Sequence, residues 1–228
     1  ALKEEATPDC RFEGCTGCGV CGAGIANVRY RETDPAPLFR ETGEKEPVPY
    51  VVRLTKEDFQ RYISPRDFLE TIKRAIRRSG LSAVYSKGYS PIMKLSSSPP
   101  PPFGIASLSE FIQFELKGEK DPAEVLEALR KSLPKGVNAL SCERGKLRLA
   151  QGFVYRTARP FTFRLEPGCT VTKGDKTLAV EDYLVSHDDT TLTIGVRDGR
   201  TISPHAILEA CSADGIGAWE ITRVETLF

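Results

Sequence analysis

The 228-residue sequence is poor in the features that disclose an activity most quickly. It holds 2 His, 1 Met and 1 Trp. His187 stands beside Asp188 and Asp189 in an expected turn, and His205 in the expected first turn of a helix. With no Ser or Cys partner in a family-like motif, neither makes a nucleophile–base pair. No Walker loop occurs. Gly17, Gly19 and Gly22 fit G-x-G-x-x-G by letters, but no strand precedes them, which excludes a dinucleotide fingerprint. No apolar run approaches the roughly 18 residues that a membrane helix needs. No basic segment leads into an apolar one, so no signal peptide is visible, and the expected location is the cytoplasm, away from membranes. Clustered cysteines there hold metal more often than they form disulfides. The chain opens at Ala1 and its single methionine is Met93, as expected of a piece of a longer polypeptide.

What is present suffices for one sizeable core or two small ones, since 40% of residues are hydrophobic and 28% charged. The net charge of +1 conceals an asymmetry. Residues 50–98 carry 10 Lys and Arg against 4 Asp and Glu, whereas residues 1–49 carry 6 against 9. The positive charge is therefore concentrated in one segment, where an anionic partner would meet it.

The expected fold is α+β: a ferredoxin-like unit, then a second, more β-rich α+β unit, behind an N-terminal Cys-rich metal-binding head. The boundaries are 1–24 for the head, 25–49 for a proline-containing linker, 50–145 for the first unit and 146–228 for the second. Residues 50–54 read as a strand. Ser64 then caps a helix, with Pro65 at its first position and Asp67 three residues on. Phe68, Leu69, Ile72, Ala75 and Ile76 give that helix one apolar face, and Gly80 ends it. Four prolines, Pro99 to Pro102, are extended. A strand at 111–116, a helix opened by Asp121-Pro122 and a strand at 137–142 complete the unit. Further strands are expected at 153–155, 161–165, 177–185 and 191–196, with a hairpin-type turn at Asp198-Gly199. Ser203-Pro204 repeats the cap-then-proline device, which suggests a second unit related to the first, and 219–224 is a last strand.

Cys10, Cys15, Cys18 and Cys21 form a C-x4-C-x2-C-x2-C cluster interleaved with glycines. Thiolates at such short spacings wrap one soft or borderline metal, and glycine permits the positive-φ turns this needs. Successive x2 gaps favour an iron–sulfur cluster such as 4Fe–4S, with zinc the alternative. Cys142, Cys169 and Cys211 are isolated in sequence and read as small buried hydrophobes.

Three motifs occur in order: Tyr62-Ile63-Ser64-Pro65-Arg66-Asp67-Phe68-Leu69, then Arg77-Arg78-Ser79-Gly80-Leu81, then Tyr85-Ser86-Lys87-Gly88-Tyr89-Ser90-Pro91-Ile92-Met93-Lys94. They resemble the radical SAM-linked domain family, with its F-I-S-H-L-D-L, R-R-A-G-L and Y-S-Q-G-F-N-P-H-P-K. The resemblance extends to Phe103-Gly104 and Glu110, more loosely to Ser203-Pro204 and the last strand, and so covers about Tyr50 to Phe228. The head resembles the C-terminal end of the radical SAM proteins to which such domains are fused or adjacent. The family's histidines fall at Pro65 and Ile92 and its Asn at Ser90, so any role of those side chains does not carry over. The radical SAM motif itself, C-x3-C-x2-C, is not matched, because the first gap here holds four residues.

The resemblance implies an accessory substrate-binding or docking module of a radical SAM enzyme, in cis or in trans, that is not catalytic alone. Arg66, Arg74, Arg77, Arg78, Lys87 and Lys94, interleaved with Tyr85, Ser86 and Tyr89, suggest an RNA-binding surface for tRNA or another structured RNA, since Arg forks suit phosphates and rings stack on bases. The competing reading is a solvated helix face with core tyrosines. A self-sufficient metalloprotein with an electron-relay role is the alternative function, on the strength of the clustered cysteines.

Overall fold

The chain divides into two units, Ala1–Gly43 and Glu44–Phe228. The computed structural model describes residue 17, residues 45–173 and residues 176–228. The Cys-rich head expected to bind metal therefore lies outside the described residues apart from Gly17, as does most of the expected linker.

The described body is α+β, with a mixed multi-stranded sheet and three helices. Strand β1 (Pro47–Lys56) leads through a 3-10 turn (Asp58–Tyr62) into helix α1 (Pro65–Arg78). The short β2 (Leu95–Ser97), the long β3 (Ala106–Lys117), helix α2 (Pro122–Arg130) and β4 (Ala139–Arg144) follow. The caps match their sequence signals: Ser64 Oγ accepts from the Asp67 N–H, and Asp121 Oδ1 from the Ala123 N–H. β1 takes in Pro47, Val48 and Pro49, assigned to the linker from sequence alone. Pairing with β4 begins only at Tyr50, so those prolines sit on a locally open edge that does not need their missing N–H.

In this first half the strands lie in the order β4-β1-β3-β2, every neighbour antiparallel. Tyr50, Val52 and Leu54 of β1 and Ile112, Phe114 and Leu116 of β3 alternate onto one face. Phe68, Ile72 and Ile76 of α1 and Val125 and Leu129 of α2 close over them as one core. Full burial of each such side chain contributes about 1.5–3 kcal/mol before chain entropy is subtracted.

The second half has β5 (Gly152–Thr157), a separate hairpin of β6 (Thr170–Lys173) and β7 (Lys176–Ala179), then β8 (Leu184–His187), β9 (Thr191–Gly195), helix α3 (Pro204–Cys211) and β10 (Ile221–Leu227). Its strands run β10-β5-β9-β8, again antiparallel throughout. Counted in chain order within each half, the sequence of neighbours is the same. The hairpin stands where the first half has α1, and α3 stands where the first half has α2. Ser203-Pro204 thus corresponds by topology to Asp121-Pro122 and not to Ser64-Pro65, and Ser203 makes no side-chain cap.

Two expected strands differ. Residues 177–185 divide into β7, a 3-10 turn (Val180–Asp182) and β8. Residues 161–165 form no ladder, because their donors go elsewhere: Phe161 N–H to the Asp189 carbonyl, Thr162 N–H to the Asp214 carboxylate, Arg164 N–H to the Cys211 carbonyl. The turn at Asp198-Gly199 has positive φ at both residues, as a type I′ turn requires.

The halves share one sheet. β10 pairs in parallel with β3 at Ala106 and Ser107, while β2 occupies the same edge of β3 at residues 112–114. Beyond the ladder, Thr226 N–H donates to Ser109 Oγ, and Thr226 Oγ1 donates to the Ser109 carbonyl. The seam is polar and buried. Arg223, 1% exposed, donates through Nη1 to Glu110 Oε1 at 3.1 Å and to the Pro99 carbonyl at 2.8 Å. Its guanidinium lies 4.2 Å from the Phe153 ring centroid, and its Nε has no hydrogen-bond partner among the described residues. Lys56, also buried, donates to the Ile63 carbonyl. Burial lowers its pKa, a trend that Glu110 opposes and Arg223 reinforces.

Candidate functional site

The polar face of α1 is set by helical periodicity. Positions 66, 70, 73, 74 and 77 fall opposite the buried Phe68, Ile72, Ala75 and Ile76. Arg66, Arg74 and Arg77 are exposed. Other positive charges of this segment are used internally. Arg78 donates to the Ser132 carbonyl, Lys73 pairs with Glu70 at 2.7 Å, and Lys94 pairs with Glu115 at 3.2 Å. The Lys73 hydrogen bond, aided by the charges of Arg77 and Arg74, holds the Glu70 carboxyl below its usual range.

The loop after α1 is a hairpin. Tyr85 and Met93 form a bridge, Ser86 N–H donates to the Ile92 carbonyl, and Ile92 N–H returns to Ser86 Oγ. Ser86 thus closes the hairpin through both its N–H and its hydroxyl. Tyr85 packs on the first core. Gly88 has φ +139, a conformation that favours glycine, and the tip beyond it presents Tyr89 fully exposed beside exposed Lys87. The reading of both tyrosines as core residues holds for Tyr85 and fails for Tyr89. Among the described residues, no hydrogen bond, ion pair or ring contact joins this tip to Arg66, Arg74 or Arg77.

A second group of exposed rings was missed from the sequence. Tyr62 and Phe103 lie 5.8 Å apart, and Trp219 is exposed on the turn before β10. Arg61 ties them together: its Nη1 donates to the Trp219 carbonyl and its own carbonyl accepts from Gly104 N–H. Gly104 has φ +83, and an added Cβ would sit 3.5 Å from that of Ala218. The sequence signals were Tyr62, which opens the first motif of the resemblance, and the Phe103-Gly104 pair; nothing in the spacing of 62, 103 and 219 announces a cluster.

Two cavities are notable among the described residues. One, of about 530 Å³, lies between α1 and the extended chain before β3, lined among others by Arg66, Phe68, Lys73, Ser98, Pro100 and Glu110. The other, of about 610 Å³, lies in the second half, lined by residues 162–169 and 210–214 in part, including Cys169 and Cys211. Those two thiols, isolated in sequence, come together with their Sγ atoms 3.1 Å apart. Cys142 remains alone on β4, its thiol pushed up to about 11 by burial and then by Glu143.

His187 packs against Phe163 at a ring distance of 4.3 Å, and Asp188 accepts from the N–H groups of Thr190 and Thr191, which closes the expected turn. His205 lies 4.0 Å from Glu209 across one helical turn. Among the described residues, no group of three or more His, Cys, Asp or Glu is placed to hold a metal ion. Cys10, Cys15, Cys18 and Cys21 lie outside the described residues. No described helix is long and apolar enough to cross a membrane.

Fold and surface together define an α+β protein with two halves of like strand order and with exposed aromatic and basic side chains. The chain belongs to a family of uncharacterized proteins conserved in bacteria (DUF2344), whose model matches residues 50–192. That description assigns no activity, cofactor or partner. No curated protein matches the chain.

Proposed function

We propose that the protein is an accessory substrate-binding module of a radical SAM enzyme system and that its substrate is an RNA with unpaired bases, such as a tRNA. The observation that carries the RNA reading is Tyr89, fully exposed beside Lys87 on the tip of a hydrogen-bonded hairpin. A large ring held away from the core by a built loop offers a stacking platform, and base stacking on such rings is worth about 1–3 kcal/mol per base. Tyr62, Phe103 and Trp219 add a second platform, and Arg66, Arg74 and Arg77 supply phosphate partners. The radical SAM partnership rests on the sequence resemblance and not on geometry. We read each half as ferredoxin-like, the second with a hairpin in place of its first helix, on the strength of the repeated strand order.

The head, on this reading, holds an iron–sulfur cluster, or zinc, at Cys10, Cys15, Cys18 and Cys21. Its support is spacing alone, and anaerobic purification with iron, sulfide and zinc analysis tests it. A redox-silent zinc site would end the electron-relay alternative. For the RNA reading the test is tRNA binding at two or more salt concentrations. Affinity should fall steeply with salt as phosphates release counterions. Arg74→Ala with Arg77→Ala should flatten that slope by about 0.7 for each single-strand phosphate that is no longer neutralised.

A further inference from the structure

Cys169 precedes β6 and Cys211 ends α3, 42 residues apart in the chain. Their backbones are held independently. Cys169 donates its N–H to the Glu166 carbonyl and accepts from Val180 N–H, while the Cys211 carbonyl accepts from Arg164 N–H. The 3.1 Å between the sulfurs is about 1 Å longer than a disulfide bond. Both cysteines line the 610 Å³ cavity, Cys169 half-buried and Cys211 buried.

We infer that Cys169 and Cys211 are a redox modification site: a dithiol that exchanges with small disulfides entering through this cavity and closes into a reversible internal disulfide. The half-buried Cys169 reacts first. Its thiolate displaces one half of a disulfide such as oxidised glutathione, forming a mixed disulfide and releasing one glutathione thiolate, which takes up a proton. Cys211 loses its proton to solvent and attacks Cys169 Sγ, expelling the second glutathione. Two protein thiols are oxidised, and one glutathione disulfide is reduced to two thiols. Burial, then the hydrogen bond and charge of Cys169, pushes the Cys211 thiol up to about 12, so Cys211 is the weaker nucleophile until the mixed disulfide removes the contribution of Cys169. The product ties the segment before the β6–β7 hairpin to the end of α3 and narrows the cavity.

The test is peptide mapping by mass spectrometry of the reduced full chain after incubation with oxidised and reduced glutathione at graded ratios, without reductant in the digest. The expected result is a Cys169–Cys211 linked peptide lacking two hydrogens, reversed by dithiothreitol, with Cys142 still a free thiol. In Cys211→Ala, glutathione should accumulate on Cys169 instead. The proposal is overturned if wild type keeps glutathione on Cys169 without closing, if either cysteine links to a different one, or if both remain free thiols at the most oxidising ratio. The wild-type map decides this even where the variant fails to fold.

Discussion

The two halves of the body share a strand order and differ in what lies over it. In the first, α1 covers the core and turns an arginine-rich face outward. In the second, the same place in the order is taken by a loop and a two-stranded hairpin, and the space beside them is a cavity lined by a thiol pair. One topology thus supplies two surfaces of different chemistry, because the connection after the first strand is free to change while the antiparallel ladder stays fixed. The halves meet in a buried polar seam, not an apolar one, which makes register between them specific: Arg223 of the second half must find Glu110 and the Pro99 carbonyl of the first.

The largest effect should come from that seam. Arg223→Ala leaves Glu110 buried without its cation and should cost about 3–5 kcal/mol in urea unfolding, whereas the double substitution with Glu110→Ala should recover part of the loss. Closing Cys169–Cys211 acts on the second half alone. For a 42-residue loop, chain entropy sets an upper figure of about 4 kcal/mol, seen as a rise in the denaturant midpoint of the oxidised form.

The two Ser-Pro helix starts separate the halves more finely. Ser64→Ala removes a cap and should cost about 1 kcal/mol, while Ser203→Ala, where no cap bond exists, should change stability by less than about 0.5 kcal/mol. Equal costs would mean that Ser203 caps α3 as Ser64 caps α1. The smallest effect concerns acid. The Thr162 N–H, then the Ser212 hydroxyl, hold the Asp214 carboxyl below its usual range. Because its folded-state pKa is depressed, this support is present above the ordinary carboxylate pKa and is lost as pH falls through the folded value. Asp214→Asn should therefore flatten the acid limb of the stability profile, and an unchanged limb would remove Asp214 from the forces that hold the cavity wall.

Much of the first half was legible in the sequence because its signals are local. Ser64-Pro65-Asp67 and Asp121-Pro122 mark helix starts, and the period of Phe68, Ile72 and Ile76 gives the buried face. The second half was less legible, since residues 161–165 have a strand's composition but spend their backbone donors on loops. Sequence also exposed the basic helix but not its internal use: Arg78 and Lys94 have partners far along the chain, which no spacing rule reveals. Tyr85 and Tyr89 look alike in the motif and end in opposite environments, one on the core and one in solvent. The pairing of Cys169 with Cys211, and of Tyr62 with Phe103, is tertiary and leaves no trace in the sequence.

The RNA reading of the first half is tested most directly by the affinity of Tyr89→Ala for tRNA, measured by fluorescence anisotropy at low salt beside wild type. Tyr89 is fully exposed, so thermal unfolding of the variant should match wild type, while binding should weaken by about 1–3 kcal/mol, roughly 5- to 150-fold in Kd. Equal affinity of the two proteins would contradict the role of the exposed ring, and no binding by wild type at low salt would contradict the RNA reading itself.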